Sequence, residues 1–324
     1  MKRILVATDF STRSDRAVLR AVLIARQSGA DLTLLHVVDD DQPAYLIDAQ
    51  RRAALEVLGQ GARTIADMDG VATEEVVVTG DAFAGILRAA EEIEPDLVVV
   101  GPHRRQLLDA FVGTTAERSI RRSRRPVLMA NGVPSGRYDR SLLAVDLDDV
   151  SRSALEAARR LGFLERTQPI ALHLFDAPAA GMMKRGMEVP AAVDHYVDRE
   201  EQRASTELHA FLSAAGMQHV KKLLKPAEGS PAGRILASAD EQGVDLIVMG
   251  TNQRKGLKRF LLGSIAQEVL VDAKQDVLVV PLANGADEPA AQSESGCPRH
   301  GASNMASIRI GRTLTASPCM KPWR

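Results

Sequence analysis

A glycine-containing segment in the last third of the chain has the composition of a phosphate-binding loop. It begins with Gly250, at the end of an apolar run, and closes with Gly263-Ser264, which open a helical pattern over residues 265–271. Glycines let backbone N–H groups approach an anion, and the N-terminus of a helix adds partial positive charge. Ser264 offers a further hydroxyl donor. These residues predict a site for phosphate groups.

A second segment, nearer the N-terminus, has the same order of residues. Gly101 ends an apolar run, and Gly113-Thr114-Thr115 precede the next helical pattern. The two segments belong to an internal repeat, in which identical residues recur first at an offset of 137 positions, as in Asp9/Asp146 and His36/His173, and later at 149 and 150. Self-similarity at one spacing indicates a duplicated domain of about 140 residues. We expect one copy at 1–133, another at 139–282, and about twelve extra residues around 177–197 of the second.

Within each copy, short β-branched runs alternate with helical stretches. Runs such as 97–100 and 246–249 are continuously apolar, which is typical of strands buried on both faces of a parallel sheet. Five such runs per copy, linked by helical crossovers, predict two doubly wound, Rossmann-like α/β domains in tandem. In that architecture the ligand site lies outside the carboxyl ends of the strands, at the switch point.

Three helices are predicted in the first copy from the apolar pattern and its flanking residues. The first spans 14–28, with Ser14 as N-cap and Gly29 as the stop, and the second spans 50–68. The third spans 82–92 after Asp81, and its counterpart begins at Ser230-Pro231. Asp9 and Asp146 each stand where a strand meets a helix, so a role as helix cap is open beside any role in binding.

Several local motifs resemble a known family. Residues 7–11 read Ala-Thr-Asp-Phe-Ser, residues 34–37 read Leu-Leu-His-Val, and a Gly-Asp or Gly-Ser-Pro step precedes the third helix of each copy. Together with the glycine loops, these motifs make the chain look like a tandem universal stress protein over about residues 1–282. The resemblance implies a fold like that of the adenine nucleotide alpha hydrolases.

In the ATP-binding branch of that family, the loop holds the phosphates and ribose, and residues after the first two strands hold the adenosine end. The resemblance therefore implies nucleotide-binding positions in the second copy at Asp146, Leu174, Gly250, Gln253, Gly263, Ser264 and Ile265. In the first copy it implies Asp9, Val37, Gly101, Arg104, Gly113, Thr114 and Thr115. Gln253 and Arg104 stand where the family has a middle glycine. Nine residues separate Gln253 from Gly263, as in the family, but only eight separate Arg104 from Gly113, so the second copy is favoured.

The resemblance implies a protein of the stress response that binds an adenine nucleotide, with ATP as the ligand. Whether Mg²⁺ accompanies the nucleotide is left open, and the protein partners are not identified. Neither loop has a Walker lysine followed by Ser or Thr, and Asp109 is the one acidic residue within either loop, so we expect no efficient catalysis. Two alternatives remain open: an interaction protein whose sites are degenerate, and a slow ATPase. No catalytic residue and no metal ligand is predicted.

Composition argues against other function classes. Lys plus Arg is 41 against 42 for Asp plus Glu, and aromatic residues are 3%, so neither bulk charge nor stacking platforms favour nucleic acid. An arginine cluster over 118–125 is more typical of a solvated helix end. Cys297 and Cys319 form no metal-binding pair, and the apolar run after Met1 is too short for a signal or membrane segment. We expect a cytoplasmic protein with no membrane contact and a disordered tail over 283–324.

The last apolar run of each copy predicts how the copies associate. Residues 127–130 and 277–280 are apolar on an expected sheet edge, and an exposed apolar edge promotes aggregation. Members of the family that the chain resembles commonly pair through this strand. We therefore predict that the two edges pair within one chain as a pseudo-dimer, with homodimerisation of the chain left open.

Overall fold

The computed structural model describes residues 1–102, 122–185, 190–251 and 263–282. Its ten strands are β1 (Arg3–Ala7), β2 (Asp31–Val38), β3 (Thr73–Thr79), β4 (Leu97–Val100), β5 (Val127–Met129), β6 (Arg140–Ala144), β7 (Gln168–Phe175), β8 (Lys221–Pro226), β9 (Leu246–Thr251) and β10 (Asp276–Pro281). The helices described are α1 (Thr12–Ser28), α2 (Ala44–Asp69), α3 (Ala82–Ile93), α4 (Asp149–Arg160), α5 (Pro178–Arg185), α6 (Pro190–Ala214), α7 (Pro231–Gln242) and α8 (Ser264–Asp272). The expected tail lies outside the described residues.

All ten strands form one sheet in the order β3-β2-β1-β4-β5-β10-β9-β6-β7-β8. Within each half the neighbouring strands are parallel, which confirms the doubly wound α/β prediction for both copies. The chain runs outward from β6 to β8 and then returns to the other side of β6 with β9. The switch point of the second half is therefore between β6 and β9, and that of the first is between β1 and β4.

The two halves are joined by antiparallel pairing of β5 with β10. Met129 lies opposite Val277, Leu128 opposite Leu278 and Val127 opposite Val279. The prediction that the two apolar edges cover each other is confirmed, because each edge supplies the hydrogen-bond partners that the other needs. The halves thus share one continuous sheet.

Helices cover both faces of this sheet and bury its central strands. Successive residues of β4 point to opposite faces: Val99 belongs to a buried cluster that includes residues of α1, α2, α4 and α6, whereas Val98 belongs to a second cluster that includes residues of α3, α7 and α8. All four residues of β4 and all six of β10 are buried. This two-sided burial explains why these strands are continuously apolar rather than alternating.

Two predicted helix starts are wrong. The N-cap of α1 is Ser11, whose hydroxyl accepts from the N–H of Ser14, so the helix begins two residues earlier than predicted. Helix α2 begins at Ala44, six residues before the predicted start, with Pro43 as an N-cap that makes no side-chain hydrogen bond. The start was missed because no capping side chain marks it. The stop at Gly29 and the caps Asp81 and Ser230 are as predicted.

A buried cluster of polar groups connects the two halves. Nε of Arg20 on α1 lies 2.8 Å from a carboxylate oxygen of Asp276 at the start of β10, and both side chains are almost fully buried. The same carboxylate accepts hydrogen bonds from the hydroxyl of Tyr138 and from the N–H of Gly132. The Arg20 guanidinium also stacks 4.2 Å from the centre of the Tyr138 ring. The cluster therefore joins one side chain from each half, Arg20 and Asp276, to the Tyr138 hydroxyl and the backbone N–H of Gly132 from the connection.

No helix in the described part of the chain is long and apolar enough to cross a membrane.

Candidate functional site

A cleft of about 410 Å³ lies at the switch point of the second half. The carboxyl ends of β6, β7 and β9, which are neighbours in the sheet, surround it together with the N-terminus of α8. Its lining includes the predicted residues Asp146, Leu174, Gly250, Gly263, Ser264 and Ile265. Residues that are up to 119 positions apart in sequence, from Asp146 to Ile265, thus meet in one cavity. Gln253 lies outside the described residues.

Sequence reasoning missed several residues that line the same cleft: Asp148, Val150, Asp176, Ala227 and Thr251. A signal for one of them was present, because Asp176 is the repeat partner of Asp39 at the offset of 137. The others carry no motif of their own. They line the cleft because of where they lie in the fold: Thr251 ends β9, Ala227 follows β8, Asp148 is the N-cap of α4 and Val150 is in its first turn.

The turn between β6 and α4 has a backbone conformation that is unusual for its residue type. Leu147 has φ of 53°, and Phe10, at the equivalent position of the first copy, has φ of 59°. A left-handed conformation at a residue with a side chain costs roughly 1–2 kcal/mol and persists only where neighbouring contacts hold it. Here the hydroxyl of Ser151 accepts from the N–H of Asp146 at 2.9 Å. The strained turn fixes the chain direction directly after Asp146.

The structure shows whether Asp9 and Asp146 are helix caps, a role that the sequence left open. The cap of α4 is Asp148, which accepts from the N–H of Ser151 at 2.8 Å, and that of α1 is Ser11. The interpretation of Asp9 and Asp146 as helix caps is therefore wrong. Each lies two residues after the end of its strand and two residues before the cap.

The carboxylates of Asp9 and Asp146 have opposite electrostatic settings. Burial alone would raise the pKa of Asp9, but hydrogen bonds from Ser11 and Ser14 outweigh it and lower the pKa below its usual value. The pKa of Asp146 is raised, first by burial and then by the negative charges of Asp148 and Asp176, against the opposing effect of His173. Among the described residues, no group of three or more His, Cys, Asp or Glu side chains is arranged to hold a metal ion.

We predict that Asp146→Asn makes the protein more stable at neutral pH and leaves stability unchanged in acid. The raised pKa means that the folded state holds its proton to higher pH than the unfolded state. Wild-type stability therefore falls as pH rises from the unfolded value of about 4 through the raised folded value. The variant has no such loss, so its gain grows with pH and stays below about 1 kcal/mol because Asp146 is exposed.

Thermal unfolding of both proteins between pH 3 and pH 8 measures this difference. Asp31→Asn, which changes an exposed aspartate at the start of β2 and outside the cleft, is the matched control for the loss of one carboxylate. A gain from Asp146→Asn that is constant across the range would contradict the prediction.

Both strand-end histidines have a structural partner. Nδ1 of His36 lies 2.8 Å from the carbonyl oxygen of Thr8, and Nδ1 of His173 lies 2.9 Å from that of Val145. Thr8 and Val145 are themselves repeat partners, so the same bond ties two neighbouring strand ends in each copy. In the first copy the His36 ring also stacks on Phe10, with centroids 4.3 Å apart.

Gly250 is needed for helix packing at the edge of the cleft. A Cβ atom there would lie 2.6 Å from Cγ1 and 2.7 Å from the carbonyl oxygen of Val150, at the start of α4. Gly101 meets the start of α1 less tightly, at 3.1 Å from the carbonyl oxygen of Arg13. The first glycine of each loop therefore lets a helix N-terminus approach a strand end, a packing role that the sequence alone did not show.

Gly263 has a different role from Gly250. It is the N-cap of α8, where it provides no side chain to cap the helix, and the position of a Cβ atom on it is surrounded by open space. The first N–H groups of a helix have no partner within the helix, and together they carry partial positive charge. Because Ser264, Ile265 and Ala266 line the cleft, this end of α8 borders it with backbone donors and the Ser264 hydroxyl.

The first copy places Asp9, Val37 and Gly101 at its equivalent strand ends. Asp9 is committed to hydrogen bonds from the N–H and hydroxyl of Ser11. The side chain of Val37 lies against Gly85 of α3, at less than 3 Å from the position of a Cβ atom there. Arg104, Gly113, Thr114 and Thr115 lie outside the described residues.

The family model of the universal stress protein family matches this chain twice, over residues 1–131 and 137–281. The chain belongs to the universal stress protein family. The two matches make it a tandem member, as the internal repeat predicted.

Individual relatives match one domain each or both halves together. Universal stress protein MJ0531 of Methanocaldococcus jannaschii is 31% identical over 144 residues, which are 44% of this chain and 82% of that protein. Universal stress protein YxiE of Bacillus subtilis is 29% identical over 147 residues, 44% of this chain and 99% of that protein. A crystal structure of a universal stress protein from Archaeoglobus fulgidus matches 86% of this chain and 98% of its own, with a TM-score of 0.64 at 20% identity. That likeness shows that the fold extends over both halves.

Proposed function

We propose that the second copy of this universal stress protein binds an adenine nucleotide in the cleft between β6, β7, β9 and α8. The observation that carries the proposal is the convergence of Asp146, Leu174, Gly250 and the N-terminus of α8 on one cavity. The volume of about 410 Å³ lies within the range of small-molecule sites. Its position at the switch point is where doubly wound sheets bind their ligands.

The two kinds of lining group suit the two ends of a nucleotide. Backbone N–H groups and the Ser264 hydroxyl at the start of α8 suit phosphate oxygens. The carboxylate of Asp146 can accept hydrogen bonds from ribose hydroxyls, and Leu174 offers apolar contact for the base. Ionised Asp146 would repel phosphates, so we propose the adenosine end beside it and the phosphates at α8.

The second copy is the better supported site. The carboxylate of Asp146 accepts no hydrogen bond from the described residues, whereas that of Asp9 accepts one from the N–H of Ser11. Neither glycine loop has a Walker lysine followed by Ser or Thr, the arrangement that P-loop enzymes use for phosphoryl transfer. These two features support nucleotide binding without efficient catalysis, with ATP acting in the cytoplasm as a switch for protein partners.

Calorimetric titration of ATP, with magnesium, into the purified protein tests the proposal. We expect saturable binding near one site per chain. Gly263→Asp and Ser264→Asp should each abolish binding, because an added carboxylate at the N-terminus of α8 repels phosphate. Gly263→Ala is the matched control and should bind as the wild type does, since open space surrounds that position.

Other results would point to the alternatives. The absence of binding by the wild type, for ATP, ADP and AMP alike, would contradict the proposal and favour an interaction protein with degenerate sites. Binding near two sites per chain would extend the function to the first copy. Release of ADP clearly above background, lost in Ser264→Asp, would favour a slow ATPase.

A further inference from the structure

A second cavity, of about 460 Å³, lies between the two halves and shares no lining residue with the nucleotide cleft. It is bordered by the C-terminal part of α1 and by the segment that links the halves. The end of α4, together with the loop of residues 161–167, completes the border. We call this cavity the interdomain groove. Because both copies and their connection contribute to it, neither copy alone could form it.

The interdomain groove concentrates arginine in a chain whose net charge is −1. Arg20, Arg137, Arg160 and Arg166 line it, and Glu165 is its one acidic residue. Arg20 is buried and committed to Asp276. The other three are exposed, and none of them forms an ion pair with an acidic residue in the described part of the chain.

A structural role accounts for only one of these three arginines. Arg160 lies in the last turn of α4, where a cation complements the negative end of the helix dipole. Arg137 and Arg166 lie in loops and have no helix end of their own to complement. Two guanidinium groups, from the connection and from the second half, are therefore available to a ligand in the same groove.

We propose that the interdomain groove binds a small anion that carries two or more phosphate or carboxylate groups. Arginine holds such groups through paired N–H donors, which suit planar carboxylate and phosphate oxygens. The bound anion would bridge the two halves beside the buried Arg20–Asp276 pair. The site is independent of nucleotide binding in the cleft.

Calorimetric titration of pyrophosphate and of citrate at low ionic strength tests this site. We expect saturable binding by the wild type and an affinity at least about tenfold lower in Arg137→Gln/Arg166→Gln, because charge-assisted bonds are lost. Arg52→Gln/Arg124→Gln removes the same charge from exposed positions outside the groove and should keep the wild-type affinity. Gly263→Asp, which closes the phosphate end of the cleft, should also keep it.

Any of three results would overturn the proposal. The first is the absence of saturable binding by the wild type, and the second is equal affinity in the wild type and in Arg137→Gln/Arg166→Gln. The third is loss of binding in Gly263→Asp with retention in the groove variant, which would assign these anions to the cleft. Far-UV circular dichroism of each variant shows that the fold is intact, as expected for substitutions at exposed positions.

Discussion

Asp276→Ala is expected to lower the free energy of unfolding by about 3–5 kcal/mol, because it leaves the buried guanidinium of Arg20 without its counter-ion. Burial raises the pKa of Asp276 in spite of the opposing charge of Arg20 and the hydrogen bond from Tyr138. The buried carboxylate is therefore stabilised in its ionised form by Arg20 and Tyr138, and it is in turn the counter-ion of Arg20 and the hydrogen-bond acceptor of the Tyr138 hydroxyl. Removing it also leaves the N–H of Gly132 and the hydroxyl of Tyr138 without an acceptor.

Urea unfolding of the full chain measures this loss. The matched control is Asp69→Ala, which removes the partner of Arg26 in a surface ion pair whose side chains are 56% and 28% exposed. Such surface pairs contribute about 0–1 kcal/mol, so the control should unfold almost as the wild type does. A loss below 1 kcal/mol for Asp276→Ala would show that the cluster at the junction does not hold the halves together.

Gly250→Ala is expected to destabilise the protein by about 2–3 kcal/mol and to weaken nucleotide binding at the same time. The added Cβ would lie 2.7 Å from the carbonyl oxygen of Val150, a backbone atom that no side-chain rotation can move away. The start of α4 must therefore shift from the end of β9. Asp148 caps that helix and lines the cleft, so the shift changes the cleft as well.

Two other glycines provide graded controls for this substitution. Gly101→Ala meets its nearest backbone atom at 3.1 Å and should lose less stability than Gly250→Ala. Gly263→Ala meets nothing within 4 Å, so it should cost only the roughly 1 kcal/mol or less of a poorer N-cap and leave the ATP affinity near the wild-type value. Urea unfolding and ATP titration of the three variants test the order. Equal effects at all three positions would show that close helix packing is not the reason for Gly250.

Much of the fold followed from local sequence patterns, because those patterns report burial directly. Strands such as β4 and β10 are continuously apolar since helices cover both of their sides. Helix ends were predicted correctly where a side chain or a glycine marks them, as at Asp81 and Gly29. They were missed where the mark is absent or ambiguous, as at Pro43 and at Ser11 beside Ser14.

The lining of the cleft could be predicted only in part. Asp146, Leu174, Gly250, Gly263, Ser264 and Ile265 were named from the motifs and the family resemblance, and they lie together. Asp148 and Asp176 were not named, although they shape the electrostatics of Asp146. The sequence does not show whether a carboxylate on a turn faces water or another carboxylate. The raised pKa of Asp146 could therefore be inferred only from the structure, in which Asp148 and Asp176 lie close to it.

By itself the sequence determined the duplication, the doubly wound α/β class, and the pairing of the two apolar edges, because repeats, buried runs and exposed apolar strands are properties of local segments. Only the tertiary structure decided why Gly250 is a glycine, which residues cap α1 and α4, and what holds the junction. Arg20, Tyr138 and Asp276 are separated by more than 100 residues in sequence and carry no shared motif. Their interaction exists only because the antiparallel pairing of β5 and β10 brings α1 over the start of the last strand.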